Sequence, residues 1–153
     1  MDNPFEPFDK QSWKPWDKYV SWGGDPRTVA AQIKKVVKWG GNVNAKGDDD
    51  ITPLIKASAY GYLSGVKTLF NAGAQVNDKT SHKESALIVA ATSDEDKVVD
   101  YLANSGANLD EKDECGLSAM ERATGRRKRR IIKTLIKAGA TPSRYVAICN
   151  EYE

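Results

Sequence analysis

Few residues in this chain could do covalent or acid–base chemistry. There is one histidine, His82, in the loop KTSHKES, flanked by Lys79 and Lys83. General acid–base catalysis most often uses histidine, and a Cys or Ser nucleophile needs a base beside it. His82 reads as a contact residue at a loop tip or, more plainly, as an exposed polar loop residue. The two cysteines, Cys115 and Cys149, lack a metal-ligand spacing. They read as free thiols in a reducing compartment; the alternative is a disulfide joining the loop of Cys115 to the C-terminal tail. Asp48, Asp49 and Asp50 stand in a row. Adjacent carboxylates along a loop do not by themselves converge on one ion, and the spacing of a calcium loop is missing. There is no Gly-rich phosphate loop and no nucleophile elbow. The expectation is a protein that is not an enzyme and uses no cofactor or metal.

One charge anomaly stands out, the run GRRKRR at 125–130. Arg126, Arg127, Lys128, Arg129 and Arg130 are joined by Arg122, Lys133 and Lys137. Three readings compete. The run is a solvated edge, with cations favoured near a helix C-terminus by ~0.3–1 kcal/mol; or it docks on an acidic protein surface; or it is a nuclear-import or nucleic-acid patch. No aromatic lies in the stretch to stack on bases, so nucleic acid ranks last.

These residues are positioned by a repeat. Gly40, Gly73, Gly106 and Gly139 are each 33 residues apart, and Ala74, Ala107 and Ala140 follow the last three. A fixed period of this size marks stacked supersecondary units. Before each glycine, apolar residues recur at steps of three and four: Ile33, Val36, Val37; Leu63, Val66, Leu69, Phe70; Val99, Leu102; Ile132, Leu135, Ile136. That is one stripe of a helix, and glycine ends it because the left-handed conformation costs it nothing. Shorter apolar runs lie upstream at 53–59, 86–91 and 117–123. Each unit is therefore a short helix, a turn, a longer helix and a polar link.

The stretch DDDITPLIKASAYGYLSGVKTLFNAGAQVNDK (48–79) resembles the ankyrin repeat. Thr52-Pro53-Leu54 matches that family's helix-start signature, with threonine as cap and proline in the first turn. Gly61 matches its glycine between the helices. Residues 80–112 and 113–142 match more loosely, through ESALIVAA and CGLSAMERA. Ile55, Ile88 and Glu121 stand where the family has histidine. Only Gly116 fits the glycine that opens the signature; Asp50 and Lys83 replace the others. Asp94 and Arg127 stand where Gly61 stands, so these departures bear on the local turn geometry rather than on the fold.

The resemblance implies an all-α ankyrin-repeat solenoid of about four helix-turn-helix repeats with finger loops. As one domain, it divides into an N-terminal cap and first repeat (1–46), repeats at 47–79, 80–112 and 113–142, and a C-terminal cap (143–153). The N-terminal cap is aromatic: Phe5, Phe8, Trp13, Trp16, Tyr19 and Trp22 precede Trp39. Pro15 opens a short helix at 16–22, and Asp25 caps the helix that starts near Pro26. These aromatics read as packing over the first repeat, with a ligand pocket as the alternative. Thr141-Pro142 starts a short cap helix carrying Tyr145, Val146 and Cys149 on one face.

The family's contact positions, carried over by register, fall on Asp48, Asp49, Ile51, Ala59 and Tyr60; on Ser81, His82, Glu84, Thr92 and Ser93; and on Glu114, Leu117 and Arg126. The resemblance implies a protein–protein interaction module, an adaptor or inhibitor gripping its partner with a concave face and finger loops. An immunity-type antagonist that occludes a toxin or enzyme is one alternative; binding of nucleic acid or an acidic partner through 125–130 is another. Composition supports a soluble chain: 40% hydrophobic, 29% charged and net +2, too small a charge to imply nucleic acid by itself. No apolar run approaches the ~18 residues of a membrane span, and the start, MDNPFEPFDK, does not read as a secretory signal. A cytoplasmic monomer is expected, or a nuclear one if the chain is eukaryotic.

Overall fold

The computed structural model describes residues 11–142 of the 153. Eight α-helices follow one another within them as four pairs: α1 (Lys14–Tyr19) and α2 (Pro26–Lys38), α3 (Pro53–Ala59) and α4 (Leu63–Asn71), α5 (Ala86–Thr92) and α6 (Asp96–Ala103), α7 (Ala119–Gly125) and α8 (Arg129–Ala138). The short helices α3, α5 and α7 pack in one row, and the long helices α2, α4, α6 and α8 in a second row. Among the described residues the only β pairing is two isolated antiparallel bridges, Lys79 with Ser85 and Lys112 with Ser118. Each closes a loop that projects ahead of a short helix.

Local chemistry sets the helix starts. Thr52 accepts a hydrogen bond from the Ile55 N–H at 3.3 Å, Ser85 from Ile88 at 3.3 Å, and Ser118 from Glu121 at 3.3 Å. Each satisfies an amide that the first turn leaves unpaired. The caps lie one period apart, so the serines replace the threonine of the signature without loss of function. Asp25 caps α2 in the same way, through the Thr28 N–H at 3.1 Å.

The repeated glycines all take the left-handed conformation, from Gly40 (φ +87°) to Gly139 (φ +102°). The turns within and ahead of the helix pairs hold their shape even where glycine is missing. Gly61, Asp94 and Arg127 have φ of +72°, +61° and +56°. Asp50, Lys83 and Gly116 have φ of +58°, +61° and +76°. The turn geometry is thus kept, at a steric cost that glycine would avoid.

The core runs the length of the stack. Ile33, Leu54, Leu69, Leu87, Ile88, Leu102, Met120, Ile131 and Leu135 are fully buried, and each such side chain contributes about 1.5–3 kcal/mol. Small residues, Ala57, Ala90 and Ala123, are buried on the short helices, one period apart, where the rows approach closely. Neighbouring pairs are also laced together. Asn44 Oδ1 accepts from the Gln75 N–H (2.8 Å), Asn77 Oδ1 from the Asn108 N–H (2.7 Å) and Asp110 Oδ1 from the Thr141 N–H (2.9 Å).

Two expectations are corrected. The first helix is Lys14–Tyr19 rather than 16–22. Pro15 sits in its first turn, and Val20 turns extended, its N–H closing on the Trp16 carbonyl. Ile136, expected in the apolar stripe, is 39% exposed; Ile131 joins Ile132 and Leu135 in the core instead. Two periods earlier, the equivalent Phe70 of α4 meets the next pair, packing edge-on against Tyr101 of α6 at 5.9 Å. No further helix pair follows α8 among the described residues. The aromatic cap is partly resolved into roles. Trp16 is fully buried and donates its Nε1–H to the Asn42 carbonyl at 2.9 Å, so it is a packing residue. Trp13, Trp22 and Trp39 are half-buried. Phe5, Phe8, the C-terminal cap helix, its Tyr145, Val146 and Cys149, and the proposed Cys149 pairing lie outside the described residues. Cys115 is a free, exposed thiol.

Candidate functional site

Three loops precede the short helices, and each is held by its own network. In the first, Gly47 N–H bonds to the Ile51 carbonyl (2.9 Å), and Asp49 and Asp50 turn the chain through consecutive left-handed residues. In the second, Thr80 Oγ1 accepts from the N–H groups of His82 and Glu84, both at 3.2 Å. In the third, Asp113 occupies the same register position. Its Oδ1 accepts from Cys115 (2.9 Å) and Leu117 (3.1 Å), while Oδ2 receives the Arg122 fork at 2.8 and 2.6 Å. Burial pushes the Asp113 carboxyl up. The Leu117 N–H, the Arg122 bonds and charge, and the Cys115 N–H outweigh it and hold the group below the usual range.

The loops also bind to each other. Ser81 N–H donates to the Asp49 carbonyl at 2.8 Å, and Glu114 N–H to the His82 carbonyl at 3.0 Å. His82 Nδ1 lies 3.0 Å from Glu114 Oε1, with both side chains about half exposed. Lys79 pairs with Glu111. The three fingers are therefore one connected edge.

Between the fingers and the short helices lies a hollow of ≈ 300 Å³. Its lining includes Ile55, Ala59 and Val89 from α3 and α5, with Ile51 and Tyr60. Asp49, Lys56, Thr80, His82 and Glu84 supply the polar lining. Tyr60 is 47% exposed and stacks at 5.5 Å on the buried Tyr62, whose hydroxyl donates to the Gly24 carbonyl at 2.9 Å. Burial raises the Tyr62 phenol above its ordinary range. Lys56 extends the surface toward α1: its Nζ lies 5.7 Å from the rings of both Trp13 and Trp22, which stack on each other at 6.4 Å.

The hollow brings together six of the expected contact residues: Asp49, Ile51, Ala59, Tyr60, His82 and Glu84. Asp48 and Ser81 are exposed beside them on the same fingers. Thr92 spends its hydroxyl on the Ile88 carbonyl (2.8 Å), and Ser93 caps α5. Glu114 and Leu117 belong to the third finger, and Arg126 is the exposed C-cap of α7. Tyr60, Ser93 and Arg126 hold the same position on successive short helices. Ile55, Lys56, Thr80 and Val89 were not among the expected residues. Val89 lies one period beyond Lys56 and could have been found by register.

The basic run forms a separate feature at the opposite ends of α5 and α7. Arg127, Lys128, Arg129 and Arg130 face Asp94 and Asp96 across a groove of ≈ 410 Å³. Lys128 pairs with Asp94 at 3.0 Å and Arg130 approaches Asp96 at 3.8 Å. The solvated-edge reading placed these cations near a helix C-terminus. That fits Arg126, but Arg129 and Arg130 occupy the first turn of α8, where the helix dipole opposes them.

A family model of ankyrin repeats, in three copies, matches residues 54–145. The chain belongs to the ankyrin repeat family. Ankyrin repeats are generally protein–protein interaction modules and typically non-enzymatic. The chain matches no curated protein. Among the described residues no helix is long and apolar enough to cross a membrane.

Proposed function

We propose that this chain is an adaptor or inhibitor that binds a partner protein with its fingers and short-helix face, masking the surface it covers. The observation that carries this reading is the hollow between α3 and α5. It joins an apolar lining to a half-exposed tyrosine and a polar rim, the anatomy of an interface anchor pocket. The fingers are pre-ordered by bonds to one another, so little ordering is left to offset on binding.

The test is affinity capture from native lysate with quantified partner, comparing the wild type with Tyr60→Ala and, separately, Ala59→Glu. Each variant should lower partner affinity about tenfold or more, as truncation or occlusion of an anchor pocket does. Helical content should stay unchanged. Undiminished capture by both variants would rule out this surface.

A further inference from the structure

We infer that the arginine-lined groove at the α5–α6 and α7–α8 turns is a second, separate docking site for an acidic protein segment. Four of the chain's seven arginines lie at 126–130, whereas only one of its sixteen lysines, Lys128, does. A solvated edge needs only charge, and this chain supplies that elsewhere with lysine. Arginine adds a planar fork that grips a carboxylate with two bonds.

The arrangement also works against stability. Arg127 is held at φ +56°, where the second helix pair has Gly61, a conformation that glycine adopts without the steric cost arginine bears. Arg129 and Arg130 sit in the first turn of α8, where positive charge is opposed by the dipole and an anion is favoured. Lys128 pairs with Asp94 at 3.0 Å, and the largely exposed Arg130 reaches Asp96 at 3.8 Å. The side chains of Arg126, Arg127 and Arg129 are exposed and make no ion pair among the described residues. Two unanswered guanidiniums, those of Arg127 and Arg129, line this groove and are complementary to an anionic partner.

The chemistry favours carboxylates on a polypeptide over a phosphate backbone. Two unpaired cations in the groove fall short of the roughly 6–10 phosphate contacts of a salt-sensitive nucleic-acid binder. Asp94 and Asp96 line the same groove and would repel a continuous row of phosphates. No aromatic lies between Tyr101 and Tyr145 in the sequence to stack on a base. An acidic peptide can space its side chains to meet the arginines and avoid the aspartates.

The experiment titrates the protein with fluorescent polyglutamate and, in parallel, with duplex DNA at low and physiological salt. The account expects polyglutamate to bind more tightly than DNA and to weaken as salt rises. The variant Arg127→Gly/Arg129→Gln should lose about tenfold in polyglutamate affinity, the effect of removing two exposed charge pairs. Its melting temperature should equal or exceed that of the wild type. Absent polyglutamate binding, tighter binding to DNA, or a folded variant that binds as well as the wild type would each overturn the inference. Tyr60→Ala probes the hollow and not this groove, so the two sites can fail independently.

Discussion

Asp113 shows how one carboxylate can shape a finger. Its side chain is 1% exposed, yet four hydrogen bonds converge on it from two backbone amides and the Arg122 fork. Its carboxyl is held below the ordinary range in the folded state. A depressed pKa means the folded protein binds this proton less well than the unfolded chain does. The stabilisation is therefore complete above the unfolded value, about 3.9, and fades as pH falls through the lower folded value. Asp113→Asn should cost about 1–3 kcal/mol at pH 7, because a buried acceptor loses its charge and Arg122 its partner. Urea unfolding at pH 7 and pH 3 would check this: the gap between wild type and variant should narrow in acid, and a gap of constant size would contradict it. The sequence could not announce this role. Thr80 does the same work one period earlier with a hydroxyl, so the residue type changes while the geometry persists.

Helices and their caps were the most legible layer. The 33-residue spacing and the apolar stripes place all the long helices, and Thr52-Pro53-Leu54 announces α3 directly. Ser85 and Ser118 cap α5 and α7 from equivalent positions, but their signatures had drifted and only the spacing betrays them. Ser85→Ala should lower stability by about 1 kcal/mol, with a matching fall in the midpoint of chemical unfolding; an unchanged midpoint would remove the cap from the account. Other features were not legible for physical reasons. The Asn44, Asn77 and Asp110 lacing joins loops 31 residues apart, and no local pattern encodes such a bond. The first helix was misplaced because its tryptophans look alike in sequence, while packing separates buried Trp16 from stacked Trp13 and Trp22. Ile136 fits the apolar stripe by spacing, but burial depends on what lies beyond it.

On the scale of the whole molecule, the stack is held by nearest neighbours: α2 meets α4, and from α3–α4 onward each helix pair touches the next in both rows. The net charge of +2 conceals a division. Asp48, Asp49, Asp50, Glu84 and Glu114 lie on the finger edge, while the arginine run lies at the α7–α8 turn. The contact register derived from the family named six of the ten hollow-lining residues because fingers and short helices repeat in phase. It missed Ile55, Lys56, Thr80 and Val89; given Lys56, the register reaches Val89, but that Lys56 lines the hollow depends on how α3 packs against α5.

The most direct test of the central claim is hydrogen exchange on the complex with the captured partner. New protection should fall on the fingers and the short helices, at residues 47–60 and 80–93, and leave the outer faces of α2, α4, α6 and α8 unchanged. Protection confined to the long helices, with the hollow between α3 and α5 exchanging as in the free protein, would contradict it.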